Sequence, residues 1–312
     1  MTQKGKWSKR LLAAYFVLFL LFLYGPILVM TVLSFQGSNG RLTFPLVSPG
    51  IDWYKSLFDS SAPFTQALAI KGASLTSLYL ALVTGAVVVV LALGLSMAFR
   101  RRFRGDSMLF LLILLCLMTP GFLLAFGTAL YWDVLGINTS MWTTALGANV
   151  VWAIPFAFLV MVAVWNRYDR RIEEAARDLG ADAKTTFREV TLPLIWTGLL
   201  GCFLFGFTLS WNEFDRTALL LGTGRATLPT FIFGQTTGGT IRPNLYALGT
   251  VTTAFTLAVV ALFLVAAIVV RRRGARAERE ERQAAAAAAA EELGEVVGVN
   301  TDAPGLGTSS SS

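Results

Sequence analysis

The chain alternates long apolar runs with short polar segments. A helix needs about 20 consecutive apolar residues to cross the ~30 Å hydrocarbon core of a bilayer. Six runs meet or approach that length, and none of them contains Asp, Glu, Lys or Arg. The pattern predicts an all-α polytopic membrane protein with six transmembrane helices, at residues 11–33, 74–99, 108–132, 143–165, 194–211 and 246–270.

The positive charges predict how these helices are oriented. Four Lys or Arg precede the first span, four lie between the second and third, six between the fourth and fifth, and six in the tail. These 20 fall on one side of the membrane, whereas the other side receives six. Because cytoplasmic loops retain Lys and Arg, we expect both termini in the cytoplasm. The net charge of +7 thus has a topological origin, and we expect no nucleic-acid partner.

The same pattern divides the chain into three parts. Residues 1–10 form a cytoplasmic N-terminus, residues 11–270 the six-helix transmembrane domain, and residues 271–312 a cytoplasmic, partly disordered tail. The first apolar run is longer than that of a secretory signal and is followed by SFQGSNG rather than a small-residue cleavage site, so it predicts an uncleaved helix. The Ala-rich part of the tail predicts a transient helix.

Composition limits the chemistry that the chain can perform. It is 55% hydrophobic and contains no histidine, the commonest general base and metal ligand. Its two cysteines, Cys116 and Cys202, lie far apart in apolar runs and are typical of core residues. We therefore expect no catalytic residue and no metal site.

One cytoplasmic segment, at 166–193, is unusually polar and helical. Its apolar positions from Ile172 are spaced four, three and four residues apart, which is one face of a helix. Gly180 predicts the end of this helix, Asp182 the cap of a second short helix over 183–190, and Pro193 a bend at Leu192 before the fifth span. Periodicity alone fits either a docking element for another protein or an amphipathic loop on the lipid headgroups.

A motif within this segment favours the docking element over the amphipathic loop. Glu174-Ala175-Ala176, three residues, Gly180, nine residues, Val190, one residue and Leu192-Pro193 resemble the EAA loop of binding-protein-dependent ABC importer permeases. The family has isoleucine where this chain has Val190. The stretches YGPILVMTVLSF, WYKSLF and SLTSLYLALVTGAVVVVLALGLSMAFRR are most similar to the spermidine/putrescine branch.

The resemblance implies a fold, a role and partners. It implies the type I importer permease fold in the bacterial cytoplasmic (inner) membrane, a non-catalytic subunit, and separate ATPase subunits that bind ATP and Mg. This chain contains no G-x-x-x-x-G-K-[ST] phosphate-binding loop. The further partners implied are the lipid bilayer, a second permease that is a related chain, and an extracytoplasmic substrate-binding protein. The implied ATPase-coupling residues are Glu174, Ala175, Ala176, Leu179, Gly180, Val190, Leu192 and Pro193, with Gly180 and Pro193 setting the angles at which movement enters the spans.

Two aromatic–acid clusters are candidates for the substrate pathway. Acids beside aromatic faces favour an amine cation, as in a polyamine. The alternative is an interfacial aromatic belt with solvated acids, and Arg216 is expected to pair with Asp215. An opine, a phosphonate, a sugar or a metal complex remains an alternative substrate. The first cluster, at the end of the third span, has the candidate residues Tyr131, Trp132 and Asp133, and the second, at the end of the fifth span, has Trp211, Glu213 and Asp215.

Other classes of membrane protein fit the sequence less well. An ion-driven secondary transporter usually carries ionisable residues within its spans, and this chain has none there. An intramembrane enzyme lacks histidine or buried acids to work with, and a channel or scaffold is a residual alternative. The outer segment 219–245 predicts a turn at Gly222 and a short helix, a candidate contact for the binding protein.

Overall fold

The computed structural model describes residues 3–37, 43–59, 66–101, 103–237 and 243–301. Every regular element in these ranges is a helix. π-helical segments at Met141–Ala145 and Thr186–Thr191 precede α6 and α9. The α-helices are α1 Gln3–Leu33, α2 Asp52–Phe58, α3 Gln66–Phe99, α4 Asp106–Met118, α5 Gly121–Val134, α6 Leu146–Trp165, α7 Arg171–Asp178, α8 Ala183–Thr185, α9 Leu192–Trp211, α10 Thr217–Leu220, α11 Leu228–Thr237 and α12 Pro243–Thr301.

Five stretches of helix in the described residues are long and apolar enough to cross a membrane. They agree with five of the six predicted spans, and large apolar side chains such as Leu11 and Phe22 remain exposed on the first of them, as expected for contact with lipid. These stretches are Lys9–Leu33, Ala67–Phe99, Met141–Trp165, Ala183–Trp211 and Pro243–Val270. The chain is therefore an all-α polytopic membrane protein.

The third predicted span, residues 108–132, is not one straight helix. It consists of α4 and α5, which bend by 102° at the break between them. Thr119 is extended there, with ψ 121°, because the ring of Pro120 disfavours helical geometry in the preceding residue. Six spans result only if this bent pair crosses as one.

Helices α3, α6 and α9 pack together as the centre of the membrane domain. Small residues let their backbones approach: a Cβ on Gly206 of α9 would lie 2.9 Å from the Cα of Gly85 in α3. Ala153 and Ala157 of α6 are fully buried against the same neighbours. Such residues are typical of helix interfaces in membranes, where dispersion contacts replace the hydrophobic effect.

A chain of hydrogen bonds crosses the same three helices. The Asn149 amide donates to the Ser210 hydroxyl at 3.0 Å, and Ser210 donates to the Thr84 hydroxyl at 3.2 Å. All three side chains are buried. A hydrogen bond between buried groups satisfies polar atoms that lipid cannot, so this chain fixes how α3, α6 and α9 face each other.

The chain divides into two compact units, Met1–Ala261 and Leu262–Ser312. The first contains the core described above. The second is helical over its described residues, so the predicted helix in the tail is present. The predicted disordered stretch from Asp302 onward lies outside the described residues, and the three-part division at 10 and 270 stays a prediction.

The segment after α10 contains the predicted short helix, α11. Gly222 has φ +88°, and a Cβ there would lie 2.7 Å from the Thr139 carbonyl oxygen. Left-handed geometry and close approach both require glycine, so the turn predicted at Gly222 is confirmed.

Candidate functional site

The polar segment between α6 and α9 folds locally as its sequence predicts. Helix α7 ends at Asp178, and Gly180, two residues later, has φ +93°. The Ala181 amide donates to the Ala176 carbonyl at 3.0 Å and the Gly180 amide to the Arg177 carbonyl at 2.9 Å, the pattern of a Schellman motif. Asp182 then caps α8, accepting a hydrogen bond from the Thr185 amide at 2.9 Å. The predicted stop and cap are therefore confirmed.

The second predicted helix is not a separate element, and the predicted bend at Leu192 is wrong. Helix continues from Ala183 to Trp211, and Leu192 is helical with φ −60° and ψ −44°. Proline in a helix normally clashes with the carbonyl four residues before it. Here the π-helical segment Thr186–Thr191 precedes Pro193, and its wider turns accommodate the ring without a break.

The motif residues differ in exposure. Glu174, Ala175, Leu179, Gly180 and Pro193 are exposed, whereas Ala176, Val190 and Leu192 are half-buried. The Leu179 side chain is 90% exposed at the end of a helix outside the apolar spans. On the apolar face of α7, the described part of the chain thus leaves Ile172 and Leu179 uncovered and covers Ala176 in part.

The neighbouring acid, Glu173, is bound by side chains of the protein itself. Its carboxylate pairs with both terminal nitrogens of Arg100, at 3.0 and 3.1 Å, and accepts a hydrogen bond from the Thr191 hydroxyl at 2.9 Å. The Glu173 and Arg100 side chains are only 12% and 15% exposed. One carboxylate therefore connects α7 to the residue after α3 and to the segment that leads into α9.

Aromatic side chains support this ion pair. The Arg100 guanidinium lies 4.3 Å from the ring centre of Trp165 and 5.2 Å from that of Tyr168. The Trp165 indole donates to the Ser96 hydroxyl at 2.9 Å, and the Tyr168 hydroxyl donates to Thr191 at 3.3 Å. Cation–π contacts of this kind are each worth roughly 0.5–2 kcal/mol. We call Arg100, Glu173, Thr191, Trp165 and Tyr168 the loop joint.

The environment of Glu173 favours its ionised form. Burial alone would raise its pKa, but hydrogen bonds from Arg100, Thr191 and Tyr168, with the charge of Arg100, lower the pKa below its ordinary value of 4.5. For Tyr168, burial is the main cause of a raised pKa. Near neutral pH the joint therefore consists of a carboxylate, a guanidinium and a neutral phenol.

Sequence reasoning missed the loop joint. Glu173 has the same sequence signal as Glu174, since both are acids in the first turn of α7. Arg100 is one of a group of basic residues after the second span and indicates topology alone. The two residues are 73 positions apart, and no local pattern relates them.

The second aromatic–acid cluster lies largely inside the protein. Trp211 is 5% exposed and stacks on Phe207. Glu213 is buried and forms an ion pair with Arg216, whose guanidinium lies 4.5 Å from the Trp152 ring centre. The expected pairing of Arg216 with Asp215 is wrong: Asp215 is exposed, and the Glu213 carboxylate accepts hydrogen bonds from both the backbone amide and the guanidinium of Arg216 instead.

The first cluster lies elsewhere. Tyr131 and Asp133 are exposed near the end of α5, where Trp132 packs edge-on against Tyr131. The start of α5 lies beside the second cluster, because a Cβ on Gly121 would be 3.6 Å from the Asp215 Cβ. Twelve residues of helix separate Gly121 from Asp133, about 18 Å at 1.5 Å per residue. The structure therefore does not bring the two clusters together.

Among the described residues, no three His, Cys, Asp or Glu side chains are grouped as metal ligands.

A cleft of about 420 Å³ lies beside the loop joint. Its lining combines the joint's ion pair with further charged side chains, namely Arg101, Arg170, Glu174 and Arg177. The cleft beside α7 is therefore lined mainly by charged side chains.

Comparison with known proteins identifies the family. Residues 90–278 match the family described as "Binding-protein-dependent transport system inner membrane component". The chain is 27% identical to the spermidine/putrescine transport system permease protein PotC of Haemophilus influenzae over 77% of this chain and 90% of that one. It is 29% identical to the putrescine transport system permease protein PotI of Escherichia coli K12, over 73% and 80%.

A solved structure has the same fold. A chain of a bacterial ABC transporter involved in import of the acidic polysaccharide alginate superposes with a TM-score of 0.60 and 17% identity. The likeness covers 85% of this chain and 97% of that one. The matched family region contains α6, the loop with α7, and α9, so the chain belongs to the family of inner-membrane components of binding-protein-dependent transport systems, as a multi-pass ABC importer permease.

Proposed function

We propose that this permease carries a polyamine across the bacterial cytoplasmic membrane and that α7 couples it to a separate ATPase subunit. The observation that carries the coupling role is the exposure of Leu179 at the end of a charged helix outside the spans. An isolated helix of eight residues is marginal in water. A partner surface that covers Leu179 and pairs with Glu174 would stabilise it.

The orientation follows from the charge distribution. With 20 of the 26 Lys and Arg on one side, both termini and α7 lie in the cytoplasm, where ATP is available. ATP and Mg bind to the ATPase subunits, because this chain contains no phosphate-binding loop. Movement of those subunits reaches the spans through α7, and the pathway alternates between facing inward and outward.

The polyamine substrate rests on the relatives rather than on the geometry. The named substrates of the two relatives are spermidine and putrescine. Of the candidate acids, Glu213 is already neutralised by Arg216, whereas Asp133 beside Tyr131 and Trp132 is exposed. Asp133 is therefore the better candidate for attracting a cationic substrate.

The remaining partners follow from the family. A binding protein delivers the substrate from outside, and α11 in the outer segment is a candidate contact for it. A second permease, a related chain, completes the pathway and covers part of the exposed apolar surface.

Co-purification tests the coupling role. The permease is expressed with its ATPase subunit, and the amount of ATPase retained is compared between wild type, Glu174→Lys and Glu189→Lys. Glu189 is also exposed in the same segment but occupies a spacer position of the motif, where no particular residue is specified. We expect Glu174→Lys to lose the ATPase and Glu189→Lys to retain it. Full assembly and transport with Glu174→Lys would refute the docking role.

Titration of the cognate binding protein tests the substrate. Spermidine, putrescine, a sugar and an opine are each added, and binding is measured by calorimetry. We expect saturable binding of a polyamine. Saturable binding of the sugar or the opine alone would refute the polyamine assignment.

A further inference from the structure

Two adjacent acids on α7 face different surroundings. Successive residues of an α-helix point about 100° apart. Glu174 is exposed, whereas Glu173 is held by Arg100 and Thr191 with only 12% of its side chain exposed. Helix α7 therefore has one acid on its free surface and one fixed to the protein's own membrane domain.

Glu173 is connected through its contacts to α3, α6 and α9, the three helices that pack at the centre of the membrane domain. Arg100 follows the last residue of α3, and Thr191 immediately precedes α9. Arg100 also lies over Trp165, the last residue of α6. These contacts are short and largely shielded from water, which makes them stronger than exposed ion pairs.

The covalent route from α7 to α9 is looser by comparison. It passes through Gly180, where a Cβ would meet no atom within 4 Å, and through the exposed residue Asp182. The turn is held by its own hydrogen bonds, but no atom lies within 4 Å of where a Cβ on Gly180 would be, so neighbouring side chains do not resist a change in the angle of α7. A displacement of α7 would be absorbed there unless another contact carries it.

We propose that Glu173 is a positioning residue that passes the movement of α7 to α3, α6 and α9 through the loop joint. The inference rests on the proposed coupling role and deepens it: Glu174 and Leu179 meet the ATPase, and Glu173 transmits its movement. It adds a second route to the expectation that Gly180 and Pro193 set the angles at which movement enters the spans.

Glu173→Gln tests the proposal. It keeps the size of the side chain and removes the charge that holds Arg100. In the full transporter, reconstituted in lipid, we expect the ATPase to remain bound and the basal ATPase rate to be unchanged. Stimulation by the loaded binding protein and substrate uptake should both fall at least about fivefold, the scale of coupling between distant sites. Glu189→Gln, the same change at an exposed position, should behave as wild type.

The exchange of charges provides a second test. Arg100→Glu alone should uncouple the transporter as Glu173→Gln does. The double variant Arg100→Glu with Glu173→Arg re-forms the pair with opposite polarity, and we expect it to recover a substantial part of stimulated hydrolysis. A double variant whose impairment equals the sum of those of Arg100→Glu and Glu173→Arg, each measured singly, would overturn the proposal.

The outcomes separate this inference from the coupling role on which it rests. If Glu174→Lys still binds the ATPase, the docking role is wrong. If Glu174→Lys fails to bind, but Glu173→Gln binds and is stimulated normally, only the transmission role is wrong. Loss of ATPase binding in Glu173→Gln would show a purely structural role and would also overturn the proposal.

Discussion

At the scale of single residues, two ion pairs in the described chain are largely buried and have different environments. Glu173–Arg100 lies outside the apolar spans and is surrounded by aromatic rings and hydroxyl groups. Glu213–Arg216 lies in the segment between α9 and α10, with side chains 8% and 4% exposed. Removing one partner from such a pair leaves an uncompensated charge, whereas removing both is often close to neutral.

The Glu213–Arg216 pair gives a prediction about stability. Arg216→Met keeps a long side chain over Trp152 but leaves the Glu213 carboxylate buried without its partner. We expect a loss of about 3–5 kcal/mol in unfolding free energy, recovered in large part by adding Glu213→Gln. Thermal unfolding in detergent measures both. Asp215→Asn, at an exposed neighbouring residue, is the control and should change the unfolding free energy little. If Arg216→Met loses no more unfolding free energy than Asp215→Asn, the pair is not buried as described.

The lowered pKa of Glu173 gives a prediction about pH. A carboxyl group with a depressed folded-state pKa stabilises the protein fully above its ordinary pKa and loses this contribution as pH falls through the folded value. The unfolding temperature of wild type should therefore exceed that of Glu173→Gln at pH 7, and the difference should shrink below pH 4.5. Glu189→Gln should match wild type throughout. A difference that grows with acidification would contradict the assigned ion pair.

At the scale of elements, the ends of α7 are determined by local chemistry. Gly180 permits the left-handed turn that closes the Schellman motif, and Asp182 caps the next helix. These features were predictable because the signals lie within a few residues of the structures they determine. Two other features could not be predicted from the sequence: the bend between α4 and α5, and the unbroken helix at Pro193. A proline in an apolar run either breaks a helix or is accommodated in it, depending on the turns around it.

Gly180→Ala tests how the end of α7 is held. A side chain in left-handed geometry costs about 1–2 kcal/mol. We expect amide exchange of Arg171–Asp178 to accelerate roughly 5- to 30-fold, the factor that this free energy implies. Asn tolerates this geometry better, so Gly180→Asn should have a smaller effect. Gly105→Ala strains another left-handed glycine in open space and should leave α7 unchanged; equal acceleration in both variants would refute a local cause.

At the scale of the whole molecule, the sequence predicts the number and place of most spans because a bilayer requires long uncharged helices. The EAA motif likewise predicts the family, which the match over residues 90–278 confirms. The sequence does not predict the loop joint, because Arg100 and Glu173 come into contact only after α3, α6 and α9 have packed. The separation of the two aromatic–acid clusters also depends on where α5 runs, which hydrophobicity does not specify.

The proposed polyamine pathway and its control by an ATPase that acts through α7 are tested together by the rate of ATP hydrolysis. This rate is measured for the complete transporter in lipid, with the binding protein present with and without spermidine or putrescine. We expect the polyamine-loaded binding protein to stimulate hydrolysis, Glu174→Lys to abolish this stimulation, and Glu189→Lys to preserve it. Undiminished polyamine-dependent stimulation in Glu174→Lys would show that α7 does not couple the permease to the ATPase.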